Sequence, residues 1–142
     1  MYNVMIVEDQ AMPRQLFEAF ISMSDNYRLV HSIKNADMAD IYCERSGIDL
    51  ILMDVCTELN SNGLDAAERI KQKYPHIKII IVTSMPEVSY LERARKIGVD
   101  SFVKVCDVDT FDEIITDWDC MEEQIAALEE KGVIVTVVEE AK

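Results

Sequence analysis

No stretch of the 142 residues comes near a membrane span. The most apolar run, Ile77 to Val82, carries a lysine and falls far short of the roughly 20 residues that a bilayer requires. The N-terminus enters a strand-like segment at once, with no basic stretch and no small-residue cleavage site. No secretory signal is therefore read, and a cytoplasmic location is expected. Cysteine is sparse, at positions 43, 56, 106 and 120, and forms no C-x-x-C pair. With only His31 and His76 to join them, these thiols offer little to zinc and read as reduced side chains. Positive charge is short as well, at 14 Lys+Arg against 27 Asp+Glu, for a net charge of −13. Residues 109–142 hold 2 of those cations and 11 of the anions. Such a chain has no Lys/Arg cluster for a nucleic-acid backbone and is repelled by an anionic membrane surface. Internal repeats, low-complexity tracts and a helix-turn-helix pattern are also missing.

What is present alternates. Asn3 to Val7 (NVMIV) reads as a buried strand, followed by a helix with Pro13 in its first turn and Leu16, Phe17, Phe20 and Ile21 on one face. Arg28 to Ile33 is a second strand. Asn35 caps a helix that carries Met38, Ala39, Ile41 and Tyr42 and ends at Gly47. Asp49 to Met53 is a third strand. Leu64 to Tyr74 is a helix stopped before Pro75, Ile77 to Val82 a fourth strand, Pro86 to Ile97 a helix closed by Gly98, and Ser101 to Val103 a short fifth strand. Apolar strands alternating with helices require a five-stranded parallel sheet covered on both faces, a doubly wound α/β domain.

In open parallel sheets the working residues gather beyond the carboxyl ends of the strands. Here strand 1 ends in Glu8 and Asp9, strand 3 in Asp54, strand 4 in Thr83 and Ser84, and strand 5 in Lys104. Taken singly, each has an ordinary explanation: a helix cap, a turn carboxylate, a loop hydroxyl, a solvated lysine. Together they converge on one edge. Three carboxylates repel unless a cation intervenes, and magnesium takes one or two carboxylates, waters and phosphate oxygens. Asp54 can then act as nucleophile towards a phosphoryl donor, with the metal and Lys104 neutralising the transferred charge and Thr83 offering a hydroxyl. A nucleotide-binding enzyme on a similar sheet lacks support, because EDQAMPR after strand 1 is not a glycine-rich phosphate loop.

The runs VMIVED at 4–9, LILMD at 50–54, IIIVTS at 79–84 and SFVK at 101–104 resemble the receiver domain of bacterial two-component response regulators over residues 1 to 120. The resemblance implies a flavodoxin-like fold and a sensor histidine kinase as phosphoryl donor to Asp54. It implies Mg2+ bound directly by Asp9, Asp54 and the backbone carbonyl of Cys56, with Glu8 acting mainly through water. It also implies Thr83 and Phe102 as a hydroxyl–aromatic switch pair, and Lys104 as the phosphoryl-contacting lysine. The sequence departs from the pattern at Val105, where many members have proline, and in the loop VCTELNSNG, which is one residue longer and lacks a Met-Pro step. That loop resembles members that carry a helix-turn-helix output domain, so control of transcription is an expected output.

The tail, 121–142, reads as an acidic extension. Phe111, Ile114, Trp118, Met121, Ile125 and Leu128 fall at a/d spacing, so an extended last helix is expected, with a homodimer through its overhanging seam as one outcome. Gly132 ends it, and Val133 to Val138 reads as an extra strand needing a partner. A competing reading is a phosphorylation-independent dimerisation or interaction module on the same fold.

Overall fold

A computed structural model describes residues 1–84, 88–105, 112–117 and 122–138. The chain forms two compact units, Met1–Val105 and Cys106–Lys142. In the first, β1 (Tyr2–Val7), α1 (Ala11–Ser22), β2 (Tyr27–Ile33), α2 (Ala39–Ser46) and β3 (Leu50–Met53) come in that order. A small hairpin follows, β4 (Cys56–Thr57) and β5 (Ser61–Asn62), then α3 (Gly63–Lys73), β6 (Lys78–Thr83), α4 (Val88–Ile97) and β7 (Ser101–Lys104). The main sheet has the order β2-β1-β3-β6-β7 and is parallel throughout. The expected doubly wound sheet is therefore what forms.

Period-two alternation divides the strand residues between two cores. Met5, Val7, Ile51, Met53, Ile79 and Ile81 are fully buried on one face, with Leu64, Ala67 and Ile70 of α3. Val4 and Ile6 point the other way, against Phe17 and Ile21 of α1. Each such side chain taken out of water stabilises the fold by about 1.5–3 kcal/mol. The α3 helix is specified locally. Asn62 accepts from Leu64 N at 2.8 Å, Lys71 and Lys73 occupy the last turn, and Pro75 follows.

The expected face of α1 is only half right. Phe17 and Ile21 pack inward, whereas Leu16 and Phe20 are exposed. One hundred degrees per residue separates neighbours, so Leu16 and Phe20 turn away from the sheet that Phe17 and Ile21 cover. The start of α4 expected at Pro86 lies outside the described residues.

The second unit overturns the extended last helix. Glu113–Asp117 is a strand, β8; the helix is only α5 (Glu122–Glu129); and Ile134–Val138 is β9, parallel to β8. The physical reason is composition. EIITD and IVTVV are dense in β-branched residues, which lose side-chain freedom in helices and suit a pleated surface. The a/d seam is broken accordingly. Ile114 lies on a strand, Ile125 and Leu128 are half-buried on α5, and Phe111, Trp118 and Met121 lie outside the described residues. A homodimer seam along one continuous helix from 111 to 128 is thereby excluded. The strand expected at Val133 to Val138 does form, and β8 is its partner.

Gly63 joins the fold to the strand ends. A Cβ there would lie 1.8 Å from the Asp54 carbonyl oxygen and 2.9 Å from the Met53 side chain, while Gly63 N donates to Val55 O at 2.8 Å. Backbone atoms cannot yield that distance. Gly63→Ala is expected to lower the melting temperature by about 10 °C or more, read by calorimetry, because the loop after Asp54 must move.

Candidate functional site

The sheet order reverses at β1, whose neighbours β2 and β3 leave in opposite directions, and the crevice of a doubly wound fold opens at such a point. Backbone bonds extend the ladder past the strand ends and place the carboxylates. Glu8 N donates to Ile33 O at 2.9 Å, and Asp54 N donates to Val7 O at 3.0 Å. As a result, one carboxylate oxygen each of Glu8, Asp9 and Asp54 lies within 4.8 Å of the others.

Electrostatics make that arrangement expensive in the absence of a cation. Glu8 is 6% exposed, and burial, with Asp54 and Asp9 adding repulsion, pushes its pKa up to about 7. A bond from Gln10 N at 2.9 Å to Glu8 Oε1 opposes the shift. Burial also raises Asp54, to about 6, with Asp9 adding to the rise. Three donors to its carboxylate work against this: Val55 N at 2.8 Å, the Cys56 N–H and the Thr83 hydroxyl. Asp9 Oδ1 is buried and has no hydrogen-bond partner among the described residues. A buried anionic oxygen left bare amid two further carboxylates is the environment of a hard cation's ligand, and an all-oxygen donor set suits Mg2+. These residues fit the metal.

The remaining expected residues are placed as follows. Thr83, 2% exposed, ends β6 and reaches Asp54. Lys104 pairs in register with Thr83 at the end of β7, its side chain exposed and not hydrogen-bonded to the three carboxylates. Phe102 is half-buried against the larger core and lines, with Leu91, Ala94 and Val99, a cavity of 270 Å3. Cys56 opens the β4–β5 hairpin, whose tip carries Leu59 and Asn60 at φ 60° and 57°. The hairpin is tied down by Ala36 N donating to Thr57 Oγ1 at 3.0 Å and Asp37 N to Ser61 Oγ at 2.9 Å.

Two contributors escaped the sequence reading. Gly63 is one; a glycine opening a helix carries no signal of the backbone it must approach. Arg14 is the other. Its Nη1 donates to the backbone carbonyls of Glu8, at 3.1 Å, and Asp9, at 3.0 Å, and so clamps the turn that carries both acids. Glu18 holds the guanidinium from the next turn, at 3.8 Å, and also accepts from Ser32 of β2. Only the five-residue spacing from Asp9 to Arg14, which brings a second-turn side chain back over the helix start, hinted at this.

Residues 4–116 match the response regulator receiver domain family. The response regulator protein VraR of Staphylococcus saprophyticus is 31% identical over 101 residues, 71% of this chain and 48% of that protein. The chain thus spans about half the length of the curated relatives it matches. Among solved structures, a LuxR-family DNA-binding response regulator from Staphylococcus aureus superposes with a TM-score of 0.68 at 23% identity, covering 92% of this chain and 98% of that one. The response regulator domain of Thermotoga maritima CheB gives a TM-score of 0.67 at 25% identity, over 73% and 78%.

Two measurements test the electrostatic account. Glu8 and Asp54 ionise at higher pH in the folded chain than in the unfolded one, so their protonated forms favour folding. Without divalent metal, the stability that these two groups contribute is fully present below pH ~4 and is lost as pH rises through about 6 and 7. The melting temperature is expected to be lower by about 4 °C or more at pH 8 than at pH 5, and Glu8→Gln should shrink that difference. Separately, Arg14→Met is expected to weaken Mg2+ binding by about tenfold in a titration calorimeter, since groups that orient metal ligands typically have effects of that size.

Proposed function

The chain belongs to the response-regulator receiver family, and from that premise we propose that it accepts a phosphoryl group on Asp54 from the phosphohistidine of a sensor kinase, with Mg2+ as cofactor. The observation that carries this reading is the cluster of Glu8, Asp9 and Asp54 within 4.8 Å at the point where the sheet order reverses. Asp9, Asp54 and the Cys56 backbone carbonyl would hold the metal directly, with Glu8 acting through water. When bound, the ion neutralises charge on the acids and on the transferring group.

The residues' own part follows from their placement. An ionised Asp54 oxygen attacks phosphorus, the P–N bond breaks, and the electron pair returns to the histidine nitrogen. Donation from Val55 N holds the Asp54 carboxylate in one orientation, which limits the arrangements open to the attacking oxygen. Lys104, exposed at the adjoining strand end, is free to swing towards the phosphoryl oxygens. Thr83 gives up its bond to Asp54 for one to the phosphoryl group, and Phe102 follows into the cavity beside Leu91 and Ala94. That motion repacks the surface of α4 and β7, which is how a local charge change becomes a signal.

We propose residues 1–120 as the receiver and 121–142 as an acidic extension, from a family match that ends at residue 116; β9 of the extension pairs with β8 inside the unit Cys106–Lys142, so the two segments share that unit. The output we infer is transcriptional, because a structural neighbour is described as DNA-binding. With a net charge of −13, this segment would act on the output by contact rather than by binding DNA. A cytoplasmic location accords with the described helices, none of which is long and apolar enough to cross a membrane.

Incubation with Mg2+ and acetyl phosphate, followed by intact mass measurement, tests the assignment. Wild type should gain one phosphoryl group and Asp54→Asn none. If wild type gains no mass and a beryllofluoride mimic also fails to bind, the chain works as a phosphorylation-independent interaction module instead.

A further inference from the structure

The sheet of the second unit holds only β8 and β9, and among the described residues β9 pairs with β8 alone. A two-stranded sheet is marginal by itself, and a free strand edge is a template for another strand. The two edges differ. β8 carries Glu113 at one end and Asp117 at the other, so two copies of it laid antiparallel would set like charges opposite each other. β9, with the sequence IVTVV, carries no charge. Its Ile134, Val137 and Val138 are 64%, 42% and 51% exposed. The phase of the ladder shows which backbone groups are free. Ile134 N donates to Asp112 O at 3.1 Å, towards β8. Successive residues of a strand aim their backbone groups to opposite sides. Ile134, Thr136 and Val138 therefore spend theirs on β8, while Val135 and Val137 present N–H and C=O at the open edge.

We propose that this edge takes a second copy of itself, β9 against β9, antiparallel about a two-fold axis at Thr136. Three arguments select that occupant. First, the free backbone groups are symmetric. Val135 and Val137 stand one on each side of Thr136, so the axis sets Val135 of each copy against the partner's Val137, and the two exchange N–H···O bonds. An isologous contact needs that self-complementarity. Second, the side chains match across the axis. Ile134 meets the partner's Val138, Val135 meets the partner's Val137, and Thr136 meets its own twin, β-branched residues throughout. Third, charge sets the direction. The sequence runs on from β9 into Glu139 and Glu140. Parallel pairing in register would lay those acids beside the partner's, whereas antiparallel pairing sends them to opposite ends of the contact. The product is a continuous sheet in the order β8-β9-β9-β8, closed to further growth because its outer strands are the charged ones. It needs neither metal nor phosphorylation at Asp54.

Sedimentation equilibrium on the full chain, with disulfides kept reduced, tests this. Wild type is expected to show a reversible dimer at about 100 µM, the scale of a small, transient contact. Val137→Pro removes an outward N–H and leaves the bonds to β8 in place, since proline is tolerated where a strand edge faces solvent. It should raise the dimer dissociation constant about tenfold or more, with the far-ultraviolet spectrum and melting temperature of wild type. A second variant reads the register. Thr136 and its twin form a non-hydrogen-bonded pair, with Cα atoms about 4.5 Å apart, within reach of a disulfide. Mild oxidation of Thr136→Cys should therefore join two copies through position 136, identified by peptide mass. Val138→Cys, set against the partner's Ile134, should give far less of the corresponding link. A wild type that stays monomeric at 1 mM overturns the proposal, as does a Val137→Pro variant that dimerises like wild type. A dimer that forms no link through position 136 overturns the register, and assembly that continues past the dimer overturns the closed sheet.

Discussion

Everything at the working edge depends on one constraint, the parallel hydrogen-bond ladder that continues one residue beyond the ends of β1 and β3. Glu8 N bonded to Ile33 O and Asp54 N bonded to Val7 O fix where two acids leave the sheet. Once those bonds form, the carboxylates cannot separate. Burial and mutual repulsion then raise Glu8 and Asp54 well above the usual carboxylate range. The energy of folding the larger core thus holds together three anions that solvent would disperse. A cation would relieve this, and Asp9 Oδ1, buried with no hydrogen-bond partner among the described residues, is an oxygen open to it.

Supports that carry no chemistry themselves keep the cluster in shape. Arg14 closes the β1–α1 turn, Gly63 lets α3 begin against the Asp54 carbonyl, and the β4–β5 hairpin braces the third side through Thr57 and Ser61. Phe102 and Thr83 stand on adjacent strands, one beside open volume and the other bonded to Asp54. The proposed acceptor and the proposed switch pair therefore lie on different elements. That division suits the proposed function, in which Asp54 would be held in place while a neighbouring surface changes.

Much of this was legible in the residue order. Apolar strands at regular intervals forced a parallel sheet, and a parallel sheet names its functional residues as those just after each strand. Glu8, Asp9, Asp54, Thr83 and Lys104 could be selected on that rule. Two kinds of error remained. On α1, helical spacing grouped Leu16 and Phe20 with Phe17 and Ile21, yet the curvature of a helix against a sheet admits only part of so wide an arc. In the tail, a 3-and-4 spacing suggested one helix, but β-branched density at Ile114, Ile115 and Thr116 prevailed once β9 offered a partner strand.

The amino-acid order alone determined the alternation of elements, the acids and hydroxyl at the strand ends, and the net charge of −13, because each follows from local pattern and composition. The tertiary structure alone decided which acid is bare, which guanidinium clamps which carbonyl, why position 63 must be glycine and which face of α1 is left to solvent. These depend on distances between residues far apart in the chain, and periodicity carries no information about such distances until the sheet has brought the residues together.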